Sequence, residues 1–185
     1  MNIAVFCSSS NRIADHYKQA AFHLGELIAL DGNKLVYGGA TGGLMDAVAE
    51  GAKSKSGVII GIISQLIIKM ERESTLPTEL IVVESLSDRK LQMKSISDLF
   101  VVLPGSFGTL DEMLDIVASG IVGEHKKPLI LVNIDGFFDH FLHQINYMRS
   151  EMFIPAEEHY KPLIAQNINQ CMELIRMSTN KLITQ

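Results

Sequence analysis

The sequence predicts an α/β fold, a doubly wound parallel sheet with helices on both faces. Three observations predict it. Short runs such as VIIGII (58–63) and PLILVN (128–133) are apolar at nearly every position, as strands covered on both sides are. Longer segments between them carry apolar residues at helical spacing. The two kinds alternate along the chain, which is how crossover units build a parallel sheet.

Each element follows in order. NIAVFC (2–7) is an apolar strand rich in β-formers, closed by the polar turn SSSN. DHYKQAAFHLGELIALDG (15–32) reads as a helix, with Gly32 suited to its end. KLVYGG (34–39) is the second strand, and LMDAVAEGAKSKSG (44–57) is a helix after a glycine-rich turn. VIIGII (58–63) is the third strand. SQLIIKMERESTLPTE (64–79) is the least regular stretch and is expected to form a helix-plus-loop flap near the site. LIVVE (80–84) is a strand and SDRKLQMKSIS (87–97) a helix, with Ser85 and Asp88 at capping-box spacing. DLFVVLP (98–104) is a strand and TLDEMLDIVASG (109–120) a helix. PLILVN (128–133) is a strand and GFFDHFLHQINYMRSEM (136–152) a helix. PLIAQ (162–166) and INQCMELIRM (168–177) supply a short strand and a last helix.

With 185 residues, 47% hydrophobic and 20% charged, the chain is expected to fold as one domain over residues 1–185. A net charge of −5 argues against a nucleic-acid partner, which wants a basic face. A small anion is a different matter, because backbone N–H groups and one arginine can hold it. Cys7 and Cys171 lie far apart without metal-ligand spacing, which reads as a reduced, cytoplasmic protein. The N-terminus has no signal-peptide pattern. The most apolar window, GVIIGIISQLIIKM, is interrupted by Ser64 and Gln65 and is too short to span a bilayer, so no membrane association is expected. His140 and His143 stand three apart on an expected helix with no acid or thiol beside them. A surface or interface position is expected for them, and no metal.

Function is sought where open α/β sheets bind ligands, beyond the carboxyl ends of the strands. There the turns read SSSN, GGATGG and PGSFGT. Glycine lets a backbone approach an anion closely, hydroxyls add donors, and a following helix adds unpaired N–H groups. No GK[ST] follows Gly43 and no GxGxxG follows the first strand, so a P-loop triphosphatase and a standard NAD dehydrogenase are disfavoured. Ser106 lies in no GxSxG elbow, which disfavours a serine hydrolase. Lys90 and Lys94 lie in no arrangement suited to a pyridoxal Schiff base. Arg89 and Lys90 sit in the first turn of their helix, where a cation opposes the macrodipole. Glu112 stands three residues after Thr109, and either a capping box or a catalytic carboxylate explains it.

These residues resemble the LOG (Lonely Guy) family of cytokinin riboside 5′-monophosphate phosphoribohydrolases, often labelled lysine-decarboxylase-like. The family's arginine–lysine pair reads DRK here, with Arg89 and Lys90. Its motif PGGxGTxxE reads PGSFGTLDE, from Pro104 to Glu112. IAVFCSSS, LVYGGATGGLMDAVAEGA and KKPLILVNIDGFFD are similar as well, so the likeness runs over about residues 2–150. Ser8, Ala40 and Ser106 stand where the family has glycine. Ser119 and Ile121 stand where it commonly has tryptophan and glutamine.

The resemblance implies a Rossmann-like fold and a homodimer with active sites near the subunit interface. The implied reaction hydrolyses the N-glycosidic bond of an adenine or N6-substituted adenine nucleoside 5′-monophosphate to free base and ribose 5-phosphate, with no cofactor. Arg89 and Glu112 are the implied catalytic pair. Ser8, Ser9, Gly38, Gly39, Thr41, Gly42, Gly43, Lys90, Gly105, Ser106, Phe107, Gly108 and Thr109 are the implied substrate-binding residues. An oxocarbenium-like transition state gives the carboxylate its work: it stabilises positive charge on the sugar, holds hydroxyls or orients water. Arg89 holds the phosphate or helps the purine leave. The alternative on the same scaffold is a carrier that binds a nucleotide-like ligand without cleaving it.

Overall fold

β1 (Asn2–Phe6) lies at the centre of the sheet, paired in parallel with β2 (Lys34–Tyr37) on one side and β5 (Leu99–Val102) on the other. β3 (Ile59–Ser64) and β4 (Glu79–Val83) continue outward from β2. β6 (Leu129–Val132) and β7 (Leu163–Ala165) continue from β5. The order is therefore β4-β3-β2-β1-β5-β6-β7, all parallel. The computed structural model describes residues 1–155, 157 and 159–183.

Alternation along the strands sorts the core into two layers. Ile3 and Val5 face one layer, Ala4 and Phe6 the other. The first layer packs under α1 (Asp15–Leu30), α2 (Gly43–Ser54) and α7 (Ile168–Ile183), through Leu24, Val48 and Met172 among others. The second packs under α4 (Leu86–Ile96), α5 (Phe107–Ile121) and α6 (Asp139–Ser150), through Met93, Met113 and Leu142 among others. Helices on both faces explain why the central strands are apolar throughout. The sequence-predicted fold class is the observed one. Among the described residues no helix is long and apolar enough to cross a membrane.

α1 and α2 meet backbone to backbone. A Cβ at Gly25 would run into the Val48 carbonyl, and one at Gly51 into the Phe22 carbonyl. Two glycines on facing helices thus set their separation, and this draws the start of α2 against the turn that follows β1. There Gly43 has a φ of +55°, and a Cβ on it would collide with the Ser10 carbonyl. An L side chain is excluded both by conformation and by space.

Several boundaries differ from the sequence reading, each for a visible reason. α7 runs on past residue 177 to Ile183, and Ser178 and Thr179 fit within it by donating to the Leu174 and Ile175 carbonyls. The helix expected from residue 136 begins only at Asp139. Residues Ile134–Gly136 form a tight 3-10 turn first, held by the Asn133 side chain, which accepts the Phe138 N–H and donates to Asp139. The irregular stretch 64–79 contains α3 (Gln65–Lys69). It then lays residues 72–74 antiparallel against 39–41 through an isolated bridge between Ala40 and Glu73.

Candidate active site

The sheet changes direction between β1 and β5, and the crevice of a doubly wound sheet opens at such a point. The turn after β1 brings Cys7, Ser8 and Ser9 to its edge. The turn after β5 leads into α5. Ser106 is the N-cap of α5 in extended conformation, and its carbonyl accepts the Leu110 N–H at 3.0 Å. The N–H groups of Phe107, Gly108 and Thr109 precede the first possible intrahelical bond and have no partner among the described residues. The positive end of α5 therefore faces the crevice uncapped.

This start removes one of the two readings of Glu112, the capping box with Thr109. The helix begins two residues earlier than its apolar pattern suggested. Gly105 has no Cβ, so the chain packs against the Thr109 side chain and turns into the helix at once. Thr109 becomes the third helical residue, and Glu112 lies too deep to reach the N-cap.

Glu112 instead meets Arg89. The box of Ser85 and Asp88 does form: Ser85 Oγ accepts the Asp88 N–H, and the Asp88 carboxylate accepts the Ser85 N–H. It fixes the start of α4, and Arg89 then projects across to α5. Arg89 Nη2 donates to Glu112 Oε1 at 2.5 Å, with the side chains 12% and 4% exposed. That partner explains why a cation is tolerated in a first helical turn. Burial outweighs the nearby guanidinium and pushes the Glu112 carboxyl from 4.5 up to about 7. Arg89 Nε is buried without a partner among the described residues. A Cβ at Gly38 would lie 2.9 Å from Arg89 Nη1, so the glycine leaves the guanidinium its room.

The flap closes the opposite side. The Thr41 N–H donates to the Arg72 carbonyl at 2.8 Å, and the Ser74 N–H donates to the Gly39 carbonyl at 2.9 Å. Arg72, whose carbonyl makes the first of these bonds, reaches inward, and its Nη2 donates to Ser9 Oγ at 2.9 Å. Together the β1 turn, the flap and α5 enclose a cavity of about 160 Å³. Cys7 lies in its wall. Burial, with the Glu112 and Asp46 carboxylates nearby, pushes the Cys7 thiol up, so it stays protonated.

Of the residues singled out in the sequence, the cavity gathers Ser8, Ser9, Arg89, Ser106, Gly108, Thr109 and Glu112. The rest stand elsewhere. Gly38 and Gly39 shape the turn under Arg89 and the flap. The Thr41 hydroxyl and the Gly42 N–H both donate to Asp46, the Gly43 N–H donates to Asn11 Oδ1, and the Leu44 N–H donates to the Ser8 carbonyl. The Gly42, Gly43 and Leu44 N–H groups at the start of α2 are thus satisfied from within the protein. Lys90 turns away to Asp111 at 2.9 Å. Gly105 packs on Thr109, and Phe107 is 90% exposed at the rim. Sequence reading passed over Arg72 and Asp46. The one signal for Arg72 was its place in the expected flap. Asp46 looked like an ordinary first-turn acid.

These features define a Rossmann-like α/β protein with a small-molecule-sized cavity at its switch point. Comparison with known proteins gives the family. The chain belongs to the LOG family, whose model, described as "Possible lysine decarboxylase", matches residues 45–175. It is 36% identical over 158 residues to the probable cytokinin riboside 5′-monophosphate phosphoribohydrolase LOGL9 of Oryza sativa subsp. japonica, covering 85% of this chain and 70% of that one. It is 35% identical over 158 residues to the cytokinin riboside 5′-monophosphate phosphoribohydrolase LOG5 of Arabidopsis thaliana, covering 85% and 69%. Among solved structures it is similar to a molybdenum cofactor binding protein from the phototrophic bacterium Rippkaea orientalis. The TM-score there is 0.72 at 26% identity, over 95% of each chain.

Proposed function

We propose that the protein is a nucleoside 5′-monophosphate phosphoribohydrolase, which hydrolyses the N-glycosidic bond of an adenine or N6-substituted adenine nucleotide. The observation that carries this reading is Glu112, buried against Arg89 on one wall of a cavity that the uncapped start of α5 also lines. The names of the rice and Arabidopsis relatives support it. The cavity is smaller than the ~300–1,000 Å³ of a site that encloses a whole ligand of this kind. Sugar and phosphate therefore occupy it, with the base toward the mouth. The phosphate lies at the first turn of α5, near Ser106, Gly108 and Thr109. The ribose then lies against Glu112.

As the bond from C1′ to the base nitrogen breaks, its electron pair leaves with the base and positive charge grows on the sugar. The Glu112 carboxylate opposes that charge and accepts a proton from the attacking water, whose oxygen bonds to C1′. The departing base nitrogen takes up a proton, leaving free base and ribose 5-phosphate. Arg89 keeps Glu112 ionised near neutral pH and fixes its position. Incubation with AMP and with N6-isopentenyl-AMP, followed by chromatography, is expected to release free base. No release from either at high enzyme concentration would overturn the assignment.

The likeness to the molybdenum cofactor binding protein favours one other reading, in which the same cavity holds a phosphorylated ligand without cleaving it. Saturable binding of AMP with no release of base would support that reading instead.

The resemblance also implies a dimer, and the surface is consistent with one. Leu86 and Leu91 on α4 are 45% and 62% exposed, and Leu114 and Ile121 on α5 are 46% and 50% exposed. With Phe107 at the rim they form an apolar face beside the cavity mouth. Light scattering is expected to give twice the chain mass; the mass of a single chain would remove this part of the proposal.

A further inference from the structure

Two arginines reach the cavity, and their surroundings differ. Arg89 is neutralised by Glu112. Lys90 and Lys94, on the same helix, are paired with Asp111 and with Asp115 and Glu124. Arg72 has no carboxylate partner among the described residues. Its Nη2 meets only the Ser9 hydroxyl, at 2.9 Å, and the Thr41 carbonyl, at 3.4 Å. A half-buried guanidinium with neutral oxygens alone has lost hydration without gaining a counter-charge. It is not a loose surface chain either. The Arg72 carbonyl accepts the Thr41 N–H at 2.8 Å and its own N–H donates to the Ile67 carbonyl at 3.3 Å, so its backbone is held at the cavity edge.

The cavity's electrostatics follow from this arrangement. Arg89 and Glu112 cancel, so the remaining positive charge is Arg72 together with the open first turn of α5. Both border the same small space, with Ser9 and Ser106 beside them. A phosphate there would gain a forked, charge-assisted contact from one side and backbone N–H groups from the other. A ligand without the phosphate would leave Arg72 as it is.

We infer that Arg72 is the residue that recognises the 5′-phosphate, and that Arg89 serves Glu112 instead. This rests on the proposed nucleotide reading and names which of two arginines carries the selection for a phosphorylated substrate. Arg72 lies far from the scissile bond in its effect: it contributes binding that positions the sugar, so its loss acts on affinity more than on the chemical step.

The test uses the whole protein and probes that are not consumed. Calorimetry with ribose 5-phosphate, ribose and inorganic phosphate is made on the parent, Arg72→Ala, Arg72→Gln and Arg89→Ala. Arg72→Gln keeps a donor for Ser9 and guards against loss of the flap. Both Arg72 variants are expected to bind ribose 5-phosphate and phosphate at least tenfold more weakly, with ribose unchanged within about twofold. In AMP hydrolysis they are expected to raise KM by the same factor with kcat changed little. Unchanged ribose 5-phosphate binding in both Arg72 variants would overturn the inference, as would a phosphate-selective loss in Arg89→Ala instead. Binding that depends on Arg72 without release of base from AMP would uphold Arg72 and overturn the hydrolase reading. A parent that binds neither phosphate nor ribose 5-phosphate would overturn both.

Discussion

Glu112→Gln is expected to lower the rate of base release by roughly 10²–10⁴-fold, the range for losing a positioned proton-transfer carboxylate. The variant keeps the shape and one acceptor oxygen for Arg89, so it is expected to stay folded. In the parent, the free-enzyme rate constant kcat/KM is expected to rise with pH through about 7 and then level, because the carboxylate is the working form. The same group leaves a mark on stability. Its carboxyl is raised in the fold, so the folded protein holds that proton where the unfolded chain releases it. Stability therefore falls as pH rises between about 4.5 and about 7. Gln carries no such proton. Relative to the parent, the unfolding free energy of Glu112→Gln is expected to rise by about 3 kcal/mol between acid and mildly alkaline pH. Urea titrations at two pH values measure this difference, and Arg89, present in both proteins, drops out of it. Full turnover in the variant would sink the proposed chemistry. A flat stability difference would show that Glu112 is not the raised carboxyl.

Arg89→Ala is the second large effect, and its direction depends on pH. With the guanidinium gone, a 4%-exposed carboxylate has no counter-charge. Removing one partner of a buried pair costs about 3–5 kcal/mol when the other remains charged. The loss is expected in full only at alkaline pH, above the raised carboxyl of the variant. It is expected to shrink as pH falls toward about 7, below which Glu112 holds its proton in both proteins. The carboxyl moves still higher than about 7 without its cation, so the acid limb of the rate profile shifts to more alkaline pH. At neutral pH the rate is expected to fall by at least ~100-fold. Arg89→Lys restores a charge without the fork and is expected to recover part of the stability and little of the rate. A profile that keeps its acid limb in Arg89→Ala would place the titrating group elsewhere.

Much of the fold was legible because it rests on local chemistry. Apolar runs such as VIIGII, short and rich in β-branched residues, read as strands covered on both faces, and NIAVFC and DLFVVLP pair at the sheet centre, with the turns SSSN and PGSFGT beside the candidate cavity. The Ser85–Asp88 box was readable because its partners are three residues apart. Glu112 was harder. Its spacing from Thr109 fits a cap as well as a catalytic carboxylate, and a helix start two residues earlier removes the cap. The glycine-rich turn GGATGG looked like an anion cradle. Its Gly42 and Gly43 N–H groups go to Asp46 and Asn11, and one of those partners is 32 residues away.

What the sequence by itself determined is the parallel sheet with helices on both faces, because period, turn chemistry and burial act within a few residues. What only the tertiary structure decided is who meets whom across that edge. Arg89 and Glu112 are 23 residues apart, and Arg72 and Ser9 are 63 apart. These contacts count only after burial has removed water from between the partners. No local pattern encodes that step, since it depends on how closely α4, α5 and the flap are drawn together by the whole core.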